Sequence, residues 1–121
     1  MLKELLVSFI TSISPASADI PDQTLDAWQT DQAYCLAENV YHEARNQPAA
    51  GQMAVMSVTM NRVADSRFPN TVCEVVRQGP HRPSWKDDTV LIPVRHKCQF
   101  SWYCDGKSDR IYDMETFDSI F

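Results

Sequence analysis

The chain predicts a single α+β domain that is mostly helical and carries a small β element. Apolar residues recur at helical spacing in four segments between Gln32 and Phe121. A β-rich stretch is confined to Thr89–Val94 and is limited to an edge or short strand by Pro93. The length of 121 residues, 44% of them hydrophobic, suits one ordinary core and excludes a disordered chain.

Residues 1–18 read as an export signal. Lys3 opens it, Leu5–Ile13 is a short apolar run, and Ala16-Ser17-Ala18 fits a small-residue cleavage site. The run is too short for a bilayer, which needs about 20 residues, so no stable membrane span is expected after cleavage. A mature domain over residues 19–121 then follows. Asp19 to Gln32 is a polar lead-in from which Leu25 and Trp28 could cover part of the core.

The first helix is expected from about Gln32 to Asn46, capped by Asp31, with Leu36, Val40 and Ala44 as its core stripe. Pro48 suits the first turn of a second helix, which runs to about Asp65. Met53, Ala54, Val55, Met56, Val58, Met60 and Val63 cover most of its circumference, which predicts a central helix buried on nearly all sides. The three methionines read as core filling.

Thr71-x-x-Glu74 has the form of a capping box and opens a short helix to Gln78, ended by Gly79-Pro80. His81–Asp88 is loop-like. Gln99–Tyr103 alternates as a second short strand would, with Phe100 and Trp102 on one face. Cys104–Lys107 is a turn. Ile111, Met114, Phe117 and Phe121 predict a closing amphipathic helix.

A net charge of −5 argues against nucleic acid, since no basic surplus exists to displace phosphate counterions. Cys35, Cys73, Cys98 and Cys104 make no CxxC pair, which argues against a zinc ribbon or thioredoxin motif. Their even number fits two disulfides in an oxidising compartment, with three connectivities open.

Glu43 is the leading candidate for chemistry. It follows Val40 by three residues, so its carboxylate falls on or beside the apolar stripe near the helix's C-terminal end. Burial and the negative end of the helix dipole would both raise its pKa, as a general acid requires. A local ion pair with Arg45 or Arg62 is the structural alternative. Gln52 and Asn61 could bind a polar ligand or form a core network. Tyr41, Trp102 and Tyr103 could stack on sugar rings or fill the core. His42-Glu43 is not a zincin motif, because Asn46 stands four residues after His42. No metal or cofactor is expected. A thiol nucleophile at Cys35 with His81 or His96 is disfavoured by the even cysteine count.

Glu43-Ala44-Arg45, Gly51–Val55, Asn61-Arg62-Val63, Phe68–Cys73 and Cys98–Ser101 occur in that order. Together they make residues 33–110 resemble the spore-cortex-lytic (SleB-type) cell wall hydrolases. The resemblance implies a lysozyme-like, lytic transglycosylase-like domain that cuts the peptidoglycan strand between N-acetylmuramic acid and N-acetylglucosamine. It implies Glu43 as the catalytic acid, with Gln99-Phe100-Ser101 opposite it, Ser101 being the second catalytic candidate. Lytic transglycosylation needs only one acid; hydrolysis is the nearby variant, with Asp65, Asp87, Asp88 or Asp105 as partner. The order of motifs further suggests Cys73–Cys98 and Cys35–Cys104. An exported monomer is expected, in the periplasm, cell envelope or medium. A phage endolysin and a small bacterial wall-remodelling enzyme fit alike. The alternative is a non-catalytic peptidoglycan-binding or inhibitor domain of the same fold.

Overall fold

Helix α1, Ala27–Ala44, begins at a capping box. Asp26 Oδ1 accepts from the Gln29 N–H at 2.8 Å, and Gln29 Oε1 accepts from the Asp26 N–H at 3.0 Å. This reciprocal cap satisfies two backbone donors and starts the helix five residues before the expected Gln32. Asp31 therefore lies inside the helix and is not its cap. The computed structural model describes Leu2 and residues 24–121. The expected signal over residues 1–18, apart from Leu2, and its cleavage point fall outside the described residues.

Four helices and one two-stranded sheet make up the described fold. Helix α2 spans Ala49–Ala64, with Pro48 as its N-cap residue. Helix α3, Val72–Val76, is capped by Thr71, whose Oγ1 accepts from the Glu74 N–H at 3.3 Å. Strands β1, His81–Pro83, and β2, Leu91–Pro93, pair antiparallel with Arg82 opposite Ile92. A 3-10 turn covers Ser101–Cys104, and helix α4 covers Met114–Ile120 behind an Asp113 cap.

The core sits around α1. Ala33, Leu36, Ala37 and Val40 are buried, and α1 packs against α2, α3 and α4. The expected Leu36–Val40–Ala44 stripe is thus the centre of the molecule. Helix α2 is not buried on nearly all sides as its composition suggested. Only Met56 and Thr59 are buried, while Met53 and Val58 stay exposed, because α1 and α3 cover it from one side. Phe117 and Ile120 of α4 reach the core, and Met114 faces solvent. Leu25 packs on the core; Trp28 is exposed.

Two further expectations need correction. His81–Pro83 is a strand, not loop. Gln99–Tyr103 is not a strand, and the cause is covalent. Cys98 and Cys104 form a disulfide with Cα atoms 6.1 Å apart. Six extended residues would separate them by about 20 Å, so the segment has to coil. The second bridge, Cys35–Cys73, ties α1 to α3 with Cα atoms 5.2 Å apart. Gln32 Oε1 reinforces it by accepting from the Cys73 N–H at 3.0 Å. All four cysteines are paired, but not as Cys73–Cys98 and Cys35–Cys104. Helix packing sets Cys35 beside Cys73, which motif order does not record. In the turn after Cys104, Gly106 has φ +80°, and any Cβ there would run into the Arg95 guanidinium.

One buried polar contact joins three elements. Asn39 of α1 is fully buried. Its Oδ1 accepts from Trp102 Nε1 at 2.8 Å, and its Nδ2 donates to Thr59 Oγ1 at 3.1 Å. Thr59 in turn donates to the Val55 carbonyl at 2.8 Å.

Replacing Asn39 by Leu strands the indole N–H and should lower stability by about 2 to 4 kcal/mol, read from urea denaturation. An unchanged midpoint would show that the contact is dispensable. Digestion without reduction should yield disulfide-linked peptides joining Cys35 to Cys73 and Cys98 to Cys104. A Cys73–Cys98 peptide in their place would refute this arrangement.

Candidate active site

Glu43 lies in the last turn of α1, one helical turn beyond Asn39 and on the same face. That face is the one on which Thr59 and Trp102 close. Its carboxylate is exposed and makes no hydrogen bond or ion pair among the described residues. The expected burial beside the apolar stripe is therefore not found. Helix α1 ends one residue later, and the neighbouring elements stop short of covering its final turn. No ion pair to Arg45 or Arg62 forms either. Arg62 instead lies over the rings of Phe68 and Phe100, at 5.4 and 5.1 Å from their centroids.

His42, beside Glu43, stacks on Trp102 with ring centroids 4.4 Å apart and planes 18° from parallel. Its Nε2–H donates to the Asp109 carbonyl at 3.1 Å. This contact holds the Asp105–Asp113 segment against the end of α1. Burial pushes the His42 pKa below its usual value, only partly offset by the Asp109 carbonyl and carboxylate.

The other candidate residues divide by position. Gln52 Nε2 donates to the Ala44 carbonyl at 3.4 Å, which also accepts from the Gln47 N–H at 3.0 Å at the end of α1. Ser101, Gln99 and Asn61 are exposed. Trp102 is buried beneath His42, and Phe100 is buried beneath Arg62. Tyr41 is in the core, where its Oη accepts from the Asp113 N–H at 3.2 Å. Tyr103 is half-buried and hydrogen-bonds His81 at 3.2 Å.

The strongly shielded carboxylate is Glu38, not Glu43. Its side chain is 14% exposed, and burial raises its pKa, opposed by Arg77 at 3.8 Å. Glu38 carried no signal in the sequence. Asn39 did, since a lone amide three residues after Leu36 interrupts an apolar stripe at helical spacing. Two open grooves, of about 440 Å³ beside α3 and about 520 Å³ along the end of α2 and the loop after it, are not lined by Glu43. Among the described residues, no helix is long and apolar enough to cross a membrane.

Comparison with known proteins bears on this site. The sequence pattern of the family described as Cell Wall Hydrolase matches residues 46–119. The match takes in Gln52, Asn61 and Gln99–Tyr103 and begins three residues after Glu43. The spore cortex-lytic enzyme of Bacillus cereus is 49% identical over 41 residues, which is 34% of this chain and 16% of that enzyme. Spore cortex-lytic enzymes of Bacillus subtilis and Oceanobacillus iheyensis are each 46% identical over 41 residues, or 34% of this chain. Those matches span 13% and 15% of the two enzymes. The chain thus matches less than a fifth of each relative's length. No solved structure matches the chain.

The depressed His42 pKa has a stability consequence with a definite sign. The unfolded chain binds a proton near pH 6.5 that the folded chain resists, so this contribution is full above pH 6.5 and is lost as pH falls below it. Glu38 and Asp109, both raised by burial, act in the opposite sense. NMR titration of His42 should give a pKa below 6.5. A higher value would mean that the indole face and the Asp109 carbonyl outweigh burial.

Proposed function

Taking as premise that the chain belongs to the cell wall hydrolase family, we propose that it cleaves the glycan strand of peptidoglycan with Glu43 as its acid. The bond is the β-1,4 link between N-acetylmuramic acid and N-acetylglucosamine, and the domain is lysozyme-like. The observation that carries this reading is the placement of Glu43. It is a carboxylate with no partner among the described residues, in the last turn of α1 above the junction that Asn39 ties together. A carboxylate held only to stabilise the fold would have a partner there.

Glu43 protonates the glycosidic oxygen and releases the leaving sugar. As a carboxylate it then takes the proton from the muramoyl 6-hydroxyl, which closes a 1,6-anhydro ring. The substrate supplies the nucleophile, so one acid suffices. Exposed Ser101 and Gln99 and the half-buried ring of Tyr103 offer hydrogen bonds and a stacking face for the sugars.

Hydrolysis would need a second carboxylate. Asp65 is held by Arg67 at 2.7 Å, which lowers its pKa to about 2, and Asp87 accepts from Thr89 at 2.6 Å. Asp105 remains the better partner, since it lies close enough to His42 to influence its titration. Two disulfides fit export to the cell envelope or beyond. The exposure of Glu43 is the one observation that favours the alternative, a non-catalytic peptidoglycan-binding or inhibitor domain, because an acid for this reaction benefits from burial.

Digestion of purified peptidoglycan followed by mass spectrometry of the released fragments tests the choice. Anhydro-muramoyl ends, lighter by one water than reducing ends, are expected. Glu43→Gln should fold normally and lose activity by about 100-fold or more. Reducing ends would favour hydrolysis with Asp105; binding without release by either protein would favour the non-catalytic domain.

A further inference from the structure

The groove of about 440 Å³ along α3 and β1 contains three polar side chains, Glu74, Arg77 and Gln78, that make no side-chain hydrogen bond among the described residues. Arg77 faces it with a side chain 46% exposed and makes no hydrogen bond among the described residues. Its nearest acid, Glu38, is at 3.8 Å, beyond hydrogen-bond range. Glu74, one turn earlier, lines the same groove and is not paired with Arg77. The Gln78 side-chain amide is also unused, and its Oε1 is fully covered.

Tyr103 completes the wall. His81 Nδ1–H donates to the Gly79 carbonyl at 2.9 Å, and in the tautomer protonated at Nδ1 alone the Tyr103 hydroxyl donates to Nε2 at 3.2 Å. The phenol oxygen keeps its lone pairs for a ligand. One groove thus offers a cation with open donors beside an anion and a hydroxyl with open acceptors. The nearby chain adds attraction for anions. Arg77 to Lys97 holds five of the eleven Lys and Arg residues and only two acids, in a chain of net charge −5.

We propose that this groove is a peptide-binding site, separate from Glu43, which takes an amino acid unit bearing a carboxylate beside an ammonium. Arg77 binds the carboxylate, Glu74 and Tyr103 Oη accept from the ammonium, and Gln78 turns to pair with the adjoining amide. The source of the peptide rests on the peptidoglycan reading above: stem peptides of the wall carry such zwitterionic units. The hydrolase would then hold a strand by its peptide while acting on its sugars.

The full chain is titrated by calorimetry with the soluble tripeptide Ala–γ-Glu–diaminopimelate. The same peptide with the carboxylates of its last residue amidated serves as comparator. The unmodified peptide should bind at least about tenfold more tightly than the amidated one. Arg77→Gln and Glu74→Gln should each weaken binding about tenfold and leave cleavage of peptide-free glycan unchanged; Glu74→Gln should also leave thermal stability unchanged, whereas Arg77→Gln lowers it by removing the cation beside Glu38. Glu43→Gln should bind the peptide as the parent does, so a failure of the catalytic reading leaves this result standing. Lack of binding, equal binding of both peptides, or undiminished binding by both groove variants overturns the proposal.

Discussion

The fold depends on a buried amide. Asn39 has no exposed surface, yet it sits in the middle of the central helix among Leu36, Val40 and Ala37. Burying an amide without partners costs about 2 kcal/mol or more, so the site is tolerable only because both ends are satisfied. Trp102 and Thr59 satisfy them, and they come from two separate elements. The geometry of the amide therefore fixes where the 3-10 turn and α2 meet α1. Hydrophobic contact alone would let these elements slide. A directional bond with a buried penalty for misalignment does not. His42 then rests on the outer face of the Trp102 ring, so the environment of Glu43 inherits its position from Asn39.

The parts of the fold legible in the sequence were those set by local chemistry. The α1 stripe follows from helical period, the Thr71 cap from its hydroxyl, and the start of α2 from Pro48. Where tertiary contacts decide, the pattern misled. Phe100 and Trp102 alternate as in a strand, but the Cys98–Cys104 bridge forces the intervening chain to coil. The apolar residues of α2 signal hydrophobicity without saying which faces have neighbours. Cysteine pairing failed for the same reason, since Cys35 and Cys73 meet only after α1 and α3 pack. The start of α1 is a different failure. Asp26 and Gln29 carry a local capping signal, and Asp31 offers the same cap chemistry nearer the apolar stripe.

The candidate site shows the same division. Spacing placed Glu43 correctly on the edge of the core-facing side of α1, but the edge at a helix end is open to solvent. Burial falls instead on Glu38, a turn and a half earlier, where α3 supplies Arg77 but leaves it 3.8 Å away. Incomplete pairing explains why burial dominates the Glu38 titration despite a nearby cation. It also leaves the Arg77 guanidinium with its donors open toward the groove. The long pair with Glu38 thus leaves Arg77, at the end of α3, half-exposed toward the groove.

An open carboxylate remains compatible with acid catalysis because the relevant environment is that of the complex. On the proposed reading, a glycan strand laid across the end of α1 would itself cover Glu43 and remove the water that now surrounds it. The last carbonyls of α1 point the same way, and Gln52 occupies only that of Ala44. The field of those carbonyls strengthens once solvent is displaced, since the local dielectric falls. On that reading the bound strand, and not a second buried charge of the protein, supplies the dry surroundings that acid catalysis needs.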